Sequence, residues 1–222
     1  MIKSILPAAC AAIVAIGASN TANATVVFSE NFDGEGTTSV LNFDDFDQFT
    51  VSAGSVDLVT AGEFDSFGLT CVSGNCIDLD GSGGSPDAAA LISDTISFLA
   101  GETYTLNFDF AGGAAFAAGN AAFGQTDSFI VALGSLFSAT ITTDVGDPFQ
   151  TFSQTFTVPT DQTLSLAFTA LDVPDFIGVA LDNISIVLVD DATAAPLPAA
   201  LPLMLAGLGG LAGLSRRKKK TA

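Results

Sequence analysis

Residues 104–110 have the sequence YTLNFDF, in which large apolar residues alternate with polar ones. The same alternation recurs in residues 152–158 (FSQTFTV) and continues in residues 164–168 (LSLAF) and 184–188 (ISIVL). A period of two residues is typical of a β-strand that buries one of its faces. These four segments therefore predict strands that pack on a common core.

The rest of the body shows the same tendency in shorter runs. Segments rich in Val, Thr and Phe are separated by Gly, Asp, Ser and Pro, and no window has sustained helical periodicity. This arrangement predicts an all-β fold, an antiparallel, jelly-roll-like β-sandwich over residues 25–190 with the 19 Phe residues on its inner faces. Further strands are predicted at residues 25–28, 49–51, 56–59, 88–92, 95–98 and 128–133.

Positive charge is confined to the two ends of the chain. The 6 Lys and Arg residues are Lys3 and the cluster at residues 216–220, and there is no His. All 24 Asp and Glu residues lie between these ends. The body therefore lacks the base of a His triad, the Lys of a Schiff base and the Lys of a phosphate loop. Its negative charge opposes contact with phosphates, so no nucleic-acid partner is expected.

The first 24 residues predict a secretory signal peptide. Lys3 supplies the positive region, residues 5–18 form an apolar core, and Ala22 and Ala24 are the small residues that precede a cleavage site. Cleavage there would make Thr25 the first residue of the mature chain. The alternative is an uncleaved anchor helix.

The C-terminal segment predicts a membrane anchor. Residues 191–199 are interpreted as a linker, residues 200–215 as a transmembrane helix and residues 216–222 as a basic tail. Basic residues beside an apolar helix stay on the cytoplasmic side of the membrane. The body would therefore lie on the opposite, outer side of the inner membrane.

The linker, the apolar helix and the basic cluster together resemble the PEP-CTERM sorting signals of Gram-negative bacteria. One variety of these signals is named after its Val-Pro-Leu-Pro-Ala motif. This chain has the last four residues of that motif, Pro196, Leu197, Pro198 and Ala199, and has Ala195 in place of the Val. The resemblance implies a processing enzyme of the exosortase type as a partner and cleavage near the motif. It also implies residence in the cell envelope, at the cell surface or outside the cell, in association with exopolysaccharide and biofilm matrix. The alternative is a plain C-terminal anchor.

Three sequence segments of the body resemble jelly-roll domains of the galactose-binding-like and carbohydrate-binding-module kind. They are residues 28–33, 100–108 and 178–185. In such domains a structural calcium ion often joins the first and last strands. The resemblance implies that role for three residues at matching places, Glu30, Asp33 and Asp182.

A second candidate calcium site lies in residues 78–83 (DLDGSG), which imitate the start of an EF-hand loop. The twelfth position is Ala89 instead of Glu, and no helices are predicted beside the segment, so an EF-hand is excluded. A looser calcium-binding turn would use Asp78, Asp80 and Asp87. The alternative is a solvated Gly-Ser loop.

Cys71 and Cys76 are the two cysteines that remain after signal-peptide cleavage. Export to an oxidising compartment favours a disulfide between them, and a metal site would lack a third Cys or a His. Closing so short a loop stabilises the fold by roughly 2 kcal/mol.

Three functions follow as hypotheses. The first is an exported, non-catalytic surface or matrix protein whose acidic body binds calcium and associates with exopolysaccharide. The second is a lectin-like module for one glycan, although the chain has no Trp and a single Tyr, the aromatics that suit sugar platforms. The third is a carboxylate-dependent glycosidase, for which spacing selects no pair of residues.

Overall fold

The computed structural model describes residues 24–64, 71–82, 88–113, 126–171 and 178–189, all within one compact unit. The strands in these ranges are β1 (Thr25–Glu30), β2 (Phe49–Ala53), β3 (Asp57–Thr60), β4 (Asn75–Asp78), β5 (Ala90–Ser93), β6 (Ile96–Phe98), β7 (Thr103–Ala111), β8 (Thr126–Leu133), β9 (Phe137–Asp144), β10 (Gln150–Thr157), β11 (Gln162–Leu164), β12 (Leu166–Ala170) and β13 (Ala180–Leu188).

The strands form two main antiparallel sheets. The six-stranded sheet has the order β10-β7-β13-β4-β3, and β1 also pairs with β13. The five-stranded sheet has the order β2-β5-β12-β8-β9, while β6 and β11 form a separate two-stranded ribbon. This arrangement confirms the prediction of an all-β, antiparallel fold.

Alternating strands supply the core between the two sheets. On β7 every second side chain is buried, from Tyr104 to Phe110, as the sequence predicts. The ring of Phe108 meets that of Phe168 on β12 edge to face, with a centroid separation of 5.2 Å, and also contacts Phe129 on β8. Such contacts hold the two sheets together. Each fully buried Phe or Leu side chain stabilises the fold by about 1.5–3 kcal/mol.

Strand β13 creates the feature that positions the candidate site. One of its edges pairs with β7 along its length. Its other edge pairs first with β4 at Ala180 and Leu181, and then with β1 from Ile184 onward. Asp182 and Asn183 therefore lie in the interval between β4 and β1. The pairing with β7 also shifts register here, and Asn183 has a φ of 52°, so a β-bulge sits at the junction.

Several predicted segments lie outside the described residues. These are residues 1–23 of the signal peptide and residues 190–222, which include the sorting motif, the predicted membrane helix and the basic tail. Within the described ranges the structure contains no helix long and apolar enough to cross a membrane.

Candidate functional site

An open cavity of about 610 Å³ lies beside the end of β1 and the bulge of β13. Hydroxyl, amide and carboxylate side chains line most of it, and none of its lining residues is aromatic. The lining consists of Ser29, Glu30, Asn31, Gly34, Glu35, Asp47, Gln48, Asn183, Ile184 and Ser185.

Glu30 ends β1 and holds the turn that follows it. Its Oε1 accepts a hydrogen bond from the main-chain amide of Phe32 at 2.7 Å, and its Oε2 accepts one from Nε2 of Gln48 at 3.0 Å. Phe32 has a φ of 57° and a completely buried ring. The buried ring anchors this turn, so the carboxylate of Glu30 is fixed at the cavity wall.

Asp33 joins the same turn to β4. Its Oδ2 accepts a hydrogen bond from Nδ2 of Asn31, and its Oδ1 accepts one from the main-chain amide of Asn75 at 2.8 Å. Gly74 lies directly against this carboxylate, because a Cβ added there would come within 1.8 Å of Oδ1. The side chain of Asn75 in turn donates to the carbonyl oxygens of Phe32 and Gly36, which completes the attachment.

Asp182 is only 4% exposed and accepts a hydrogen bond from its neighbour, the amide of Asn183, at 2.6 Å. Burial raises the pKa of the Asp182 carboxyl to about 7, and the negative charges of Asp33, Asp109 and Glu30 add to this effect. The structure therefore places Glu30 and Asp33, the other two sequence-predicted residues, where their charges act on Asp182. It adds Asp109, the partner of Asp182 across β7 and β13.

This group has the composition of a calcium site without its completed geometry. Carboxylate oxygens are the ligands that Ca²⁺ prefers, and residues 25–215 contain no Lys, Arg or His to balance the charge. In the part of the chain that the structure describes, however, no three acidic, His or Cys side chains are placed together to hold a metal ion. Main-chain or water oxygens would have to complete the shell, so calcium binding here stays a prediction.

The residues of the second predicted site are differently placed. Asp78 ends β4 and is completely buried, and Asp80 lies just beyond it, also buried. The third predicted member, Asp87, lies outside the described residues. Asp57, which spacing did not indicate, is the direct partner of Asp78 on β3.

Glu35 lines the cavity and has a shifted pKa. Partial burial raises the pKa of Glu35, and the negative charges of Glu30, Asp47 and Asp45 act in the same direction, against the hydrogen bond that lowers it. Both of its carboxylate oxygens accept the main-chain amide of Asp47, at 3.0 and 3.2 Å. The side chain therefore ties the turn after β1 to the segment that precedes β2.

The predicted disulfide is confirmed. Cys71 and Cys76 are joined with an S–S distance of 2.03 Å and a Cα–Cα distance of 5.6 Å. Both cysteines are buried in a small apolar cluster with Val59, Ala111 and Ala180. The bridge thus lies beside β3 and β4, and neither cysteine is among the residues that line the cavity.

No protein-family model matches this chain, and no curated protein matches it significantly. Among solved structures, the CBM22-1 xylan-binding domain of Xyn10C from Paenibacillus barcinonensis has a TM-score of 0.45 and 13% identity over 76% of this chain and 97% of that domain. The carbohydrate-binding module of lichenase 5A from Cellvibrio mixtus, in complex with cellotriose, has a TM-score of 0.41 and 13% identity over 73% and 98%. The mosquito-larvicidal Cry4Aa toxin from Bacillus thuringiensis has a TM-score of 0.40 and 13% identity over 63% of this chain and 22% of the toxin. These likenesses are of fold alone, and no function is inferred from them.

Proposed function

We propose that this protein is an exported, non-catalytic module of the cell surface or matrix that binds a polyhydroxylated glycan in its acidic cavity. The observation that carries the proposal is the cavity lining, where hydroxyls, amides and carboxylates converge beside a fixed strand junction. Sugar hydroxyls both donate and accept hydrogen bonds, so this lining matches their chemistry. Exopolysaccharide is the natural source of such a ligand for an exported protein.

The charge of the lining narrows the class of glycan. Glu30, Glu35 and Asp47 are all acceptors, and no cationic side chain exists in residues 25–215 to attract an acidic sugar. A neutral glycan therefore fits the cavity directly, whereas an anionic one needs a divalent cation between itself and the wall. Because no aromatic residue is among the described residues that line the cavity, we expect an affinity that depends on hydrogen bonds.

Calcium is proposed as the ion that supports this site. It would neutralise the carboxylates of the buried Asp182 and of its neighbours Glu30, Asp33 and Asp109, and thereby join the first strand to the last. Extracellular modules often bind Ca²⁺ only at about 10⁻⁴–10⁻³ M, a range suited to external calcium.

Delivery to the envelope is proposed from the ends of the sequence. The signal peptide of residues 1–24 and the sorting motif at residues 196–199 support export and processing by an exosortase-type enzyme. Mass spectrometry of the protein isolated from the envelope and from the medium tests this. Termini at Thr25 and near residues 195–199 are expected, and an intact chain with both ends present would contradict the proposal.

The glycan proposal is tested with one pair of serine variants. Ser185 lines the cavity, while Ser153 occupies the same row of the same sheet, since both residues pair with Asn107 from opposite sides. Ser185→Ala removes one hydrogen bond to the ligand, worth about 1 kcal/mol or roughly fivefold in Kd. Ser153→Ala should leave affinity unchanged. Glycans are first selected on an array and then titrated by calorimetry. Equal effects of the two variants, or no saturable ligand, would contradict this site.

Glycoside hydrolysis is the second candidate, because Glu35 combines a raised pKa with neighbouring carboxylates at a cavity. Most glycosidases use two carboxyl groups, one with a raised pKa as the general acid and one as the base or nucleophile. Release of reducing sugar from matrix polysaccharide, lost in Glu35→Gln, would favour the enzyme. Binding without any such release favours the non-catalytic module.

A further inference from the structure

One carboxylate oxygen of Asp78 has hydrogen-bond partners and the other has none. Its Oδ1 accepts hydrogen bonds from the main-chain amides of Asp80 at 3.0 Å and Gly178 at 2.7 Å. Its Oδ2 is buried and has no hydrogen-bond partner, the single buried side-chain oxygen or nitrogen of which this is true in the described residues. Buried polar atoms nearly always have a hydrogen-bond partner, so we expect this oxygen to bind a ligand.

The charges of two further carboxylates act on Asp78. Asp57 faces Asp78 directly across β3 and β4 and is 1% exposed, and Asp80 is also buried. Burial raises the pKa of Asp78 well above its ordinary value, and the charges of Asp57 and Asp80 raise it further. No Lys, Arg or His exists in this part of the chain to balance them.

The oxygens of Asp57 are already engaged. One accepts from the main-chain amide of Asn42 at 2.7 Å, and the other accepts from the hydroxyl of Ser82 at 2.6 Å. The amide of Ser82 also lies within hydrogen-bond distance of both. Asp57 is therefore fixed by hydrogen bonds opposite Asp78 on the neighbouring strand.

Main chain closes this region tightly. A Cβ on Gly81 would lie 2.6 Å from the amide nitrogen of Val56 and 2.9 Å from Oδ1 of Asp57. A Cβ on Gly178 would lie 2.6 Å from Cβ of Asp80. Glycine at both places lets the backbone approach the carboxylates closely, so peptide groups lie beside them.

We propose that Oδ2 of Asp78 binds a calcium ion within this enclosure, while Asp57 and Asp80 provide the surrounding negative charge. No three acidic side chains among the described residues form a metal site by themselves, so main-chain and water oxygens complete the six to eight ligands that Ca²⁺ takes. This interior site is separate from the group around Asp182, whose charged neighbours are Asp33, Asp109 and Glu30. It differs from the calcium-binding turn of Asp78, Asp80 and Asp87 expected from the sequence, because Asp57 takes part and Asp78 is buried.

The test counts bound calcium in the full-length protein after removal of metal by a chelator. Native mass spectrometry and calorimetric titration with CaCl₂ are applied to the wild type and to Asp182→Asn, Asp78→Asn and the double variant. Asp182→Asn removes the carboxylate at the junction of the first and last strands, so it is expected to retain one Ca²⁺ and to melt at a higher temperature when calcium is present. The double variant is expected to bind none. Exposed Asp94→Asn, which removes the same charge elsewhere, should bind as the wild type does.

Each contrary result has a definite meaning. If Asp182→Asn binds no calcium, or if Asp78→Asn binds as many ions as the wild type, the interior site does not exist and Asp78 is a buried neutral carboxyl. Should Asp78→Asn fail to fold, the count in Asp182→Asn alone decides. Titration with MgCl₂ is expected to give weaker binding, since Mg²⁺ demands a stricter geometry. Glycan binding is measured separately through Ser185, so failure of one proposal leaves the other intact.

Discussion

Asp109 on β7 and Asp182 on β13 are direct partners across an antiparallel strand pair. Like charges in this position destabilise a sheet. Asp109 accepts hydrogen bonds from the hydroxyl of Thr151 at 2.6 Å and from Nδ2 of Asn183 at 3.0 Å. The buried Asp182 therefore has to hold either a proton or a cation, which links this junction to both pH and calcium.

The first prediction is a stability that falls as pH rises. The folded pKa of Asp182 is about 7 and lies above its ordinary value of 3.8, so the folded state holds a proton that the unfolded state has lost. Between about pH 4 and pH 7 the free energy of unfolding should therefore decrease with pH, and it should level off above that range. Thermal melts in calcium-free buffer at about pH 5 and about pH 7.5 measure the change.

The control for this prediction separates Asp182 from the general repulsion of an acidic protein. Asp182→Asn should melt at a higher temperature at neutral pH and show a shallower dependence on pH, while Asp94→Asn should keep the slope of the wild type. Saturating calcium should also flatten the slope in the wild type. Identical slopes in both variants would show that Asp182 does not carry the effect.

The second prediction concerns the bulge residue Asn183. At a φ of 52° a side chain with a Cβ is strained, and Asn tolerates this conformation better than most residues. Asn183→Ala should therefore be less stable than Asn183→Gly, by about 1 kcal/mol in urea denaturation. Asn107 is a strand residue without a positive φ, so there the order should reverse. An Ala variant at position 183 as stable as the Gly variant would contradict the strained bulge.

Local pattern predicted the strands whose two faces differ most. β7 and β10 alternate clearly because one face packs on the core and the other meets solvent. β4 (Asn75–Asp78) was missed because all four of its residues are buried and three of them are polar or Cys, which is typical of a loop. β9 (Phe137–Asp144) was missed because it lies at a sheet edge, where most of its side chains are exposed or half-buried and the apolar signal is weak.

Only some residues of the candidate site could be predicted from the sequence. Resemblance indicated Glu30, Asp33 and Asp182; the charges of the first two act on the third in the structure, and their role in calcium binding stays a prediction. Asp109 and Asp57 were missed because each acquires its role through a strand partner far away in the chain, Asp182 and Asp78 respectively. Spacing along the sequence carries no signal for such pairs.

The third prediction is a modest loss of stability without the disulfide. Cys71→Ser with Cys76→Ser should lower the free energy of unfolding by roughly 2 kcal/mol, because the closed loop is short. Chemical denaturation of the double variant, compared with the wild type under oxidising and reducing conditions, checks this value. Since neither cysteine lines the cavity, glycan affinity should stay unchanged. A loss of binding at full stability would place the bridge in the site.

The fourth prediction tests the contact that joins the turn after β1 to β4. Gly74 and Gly62 both have left-handed backbone, with φ values of 60° and 87°, so replacement by Ala strains either one. At Gly62 the new Cβ meets nothing within 4 Å, whereas at Gly74 it strikes the carboxylate of Asp33. Gly62→Ala should therefore cost about 1–2 kcal/mol for the backbone alone.

Gly74→Ala should cost more than this, because Asp33 must move and release the amide of Asn75, which is then left without its acceptor. It should also weaken the rise in melting temperature that calcium produces, since Asp33 belongs to the group around Asp182. Urea denaturation with and without calcium measures both effects. Equal losses in the two variants, with equal responses to calcium, would mean that the Asp33 contact neither stabilises the turn nor serves the site.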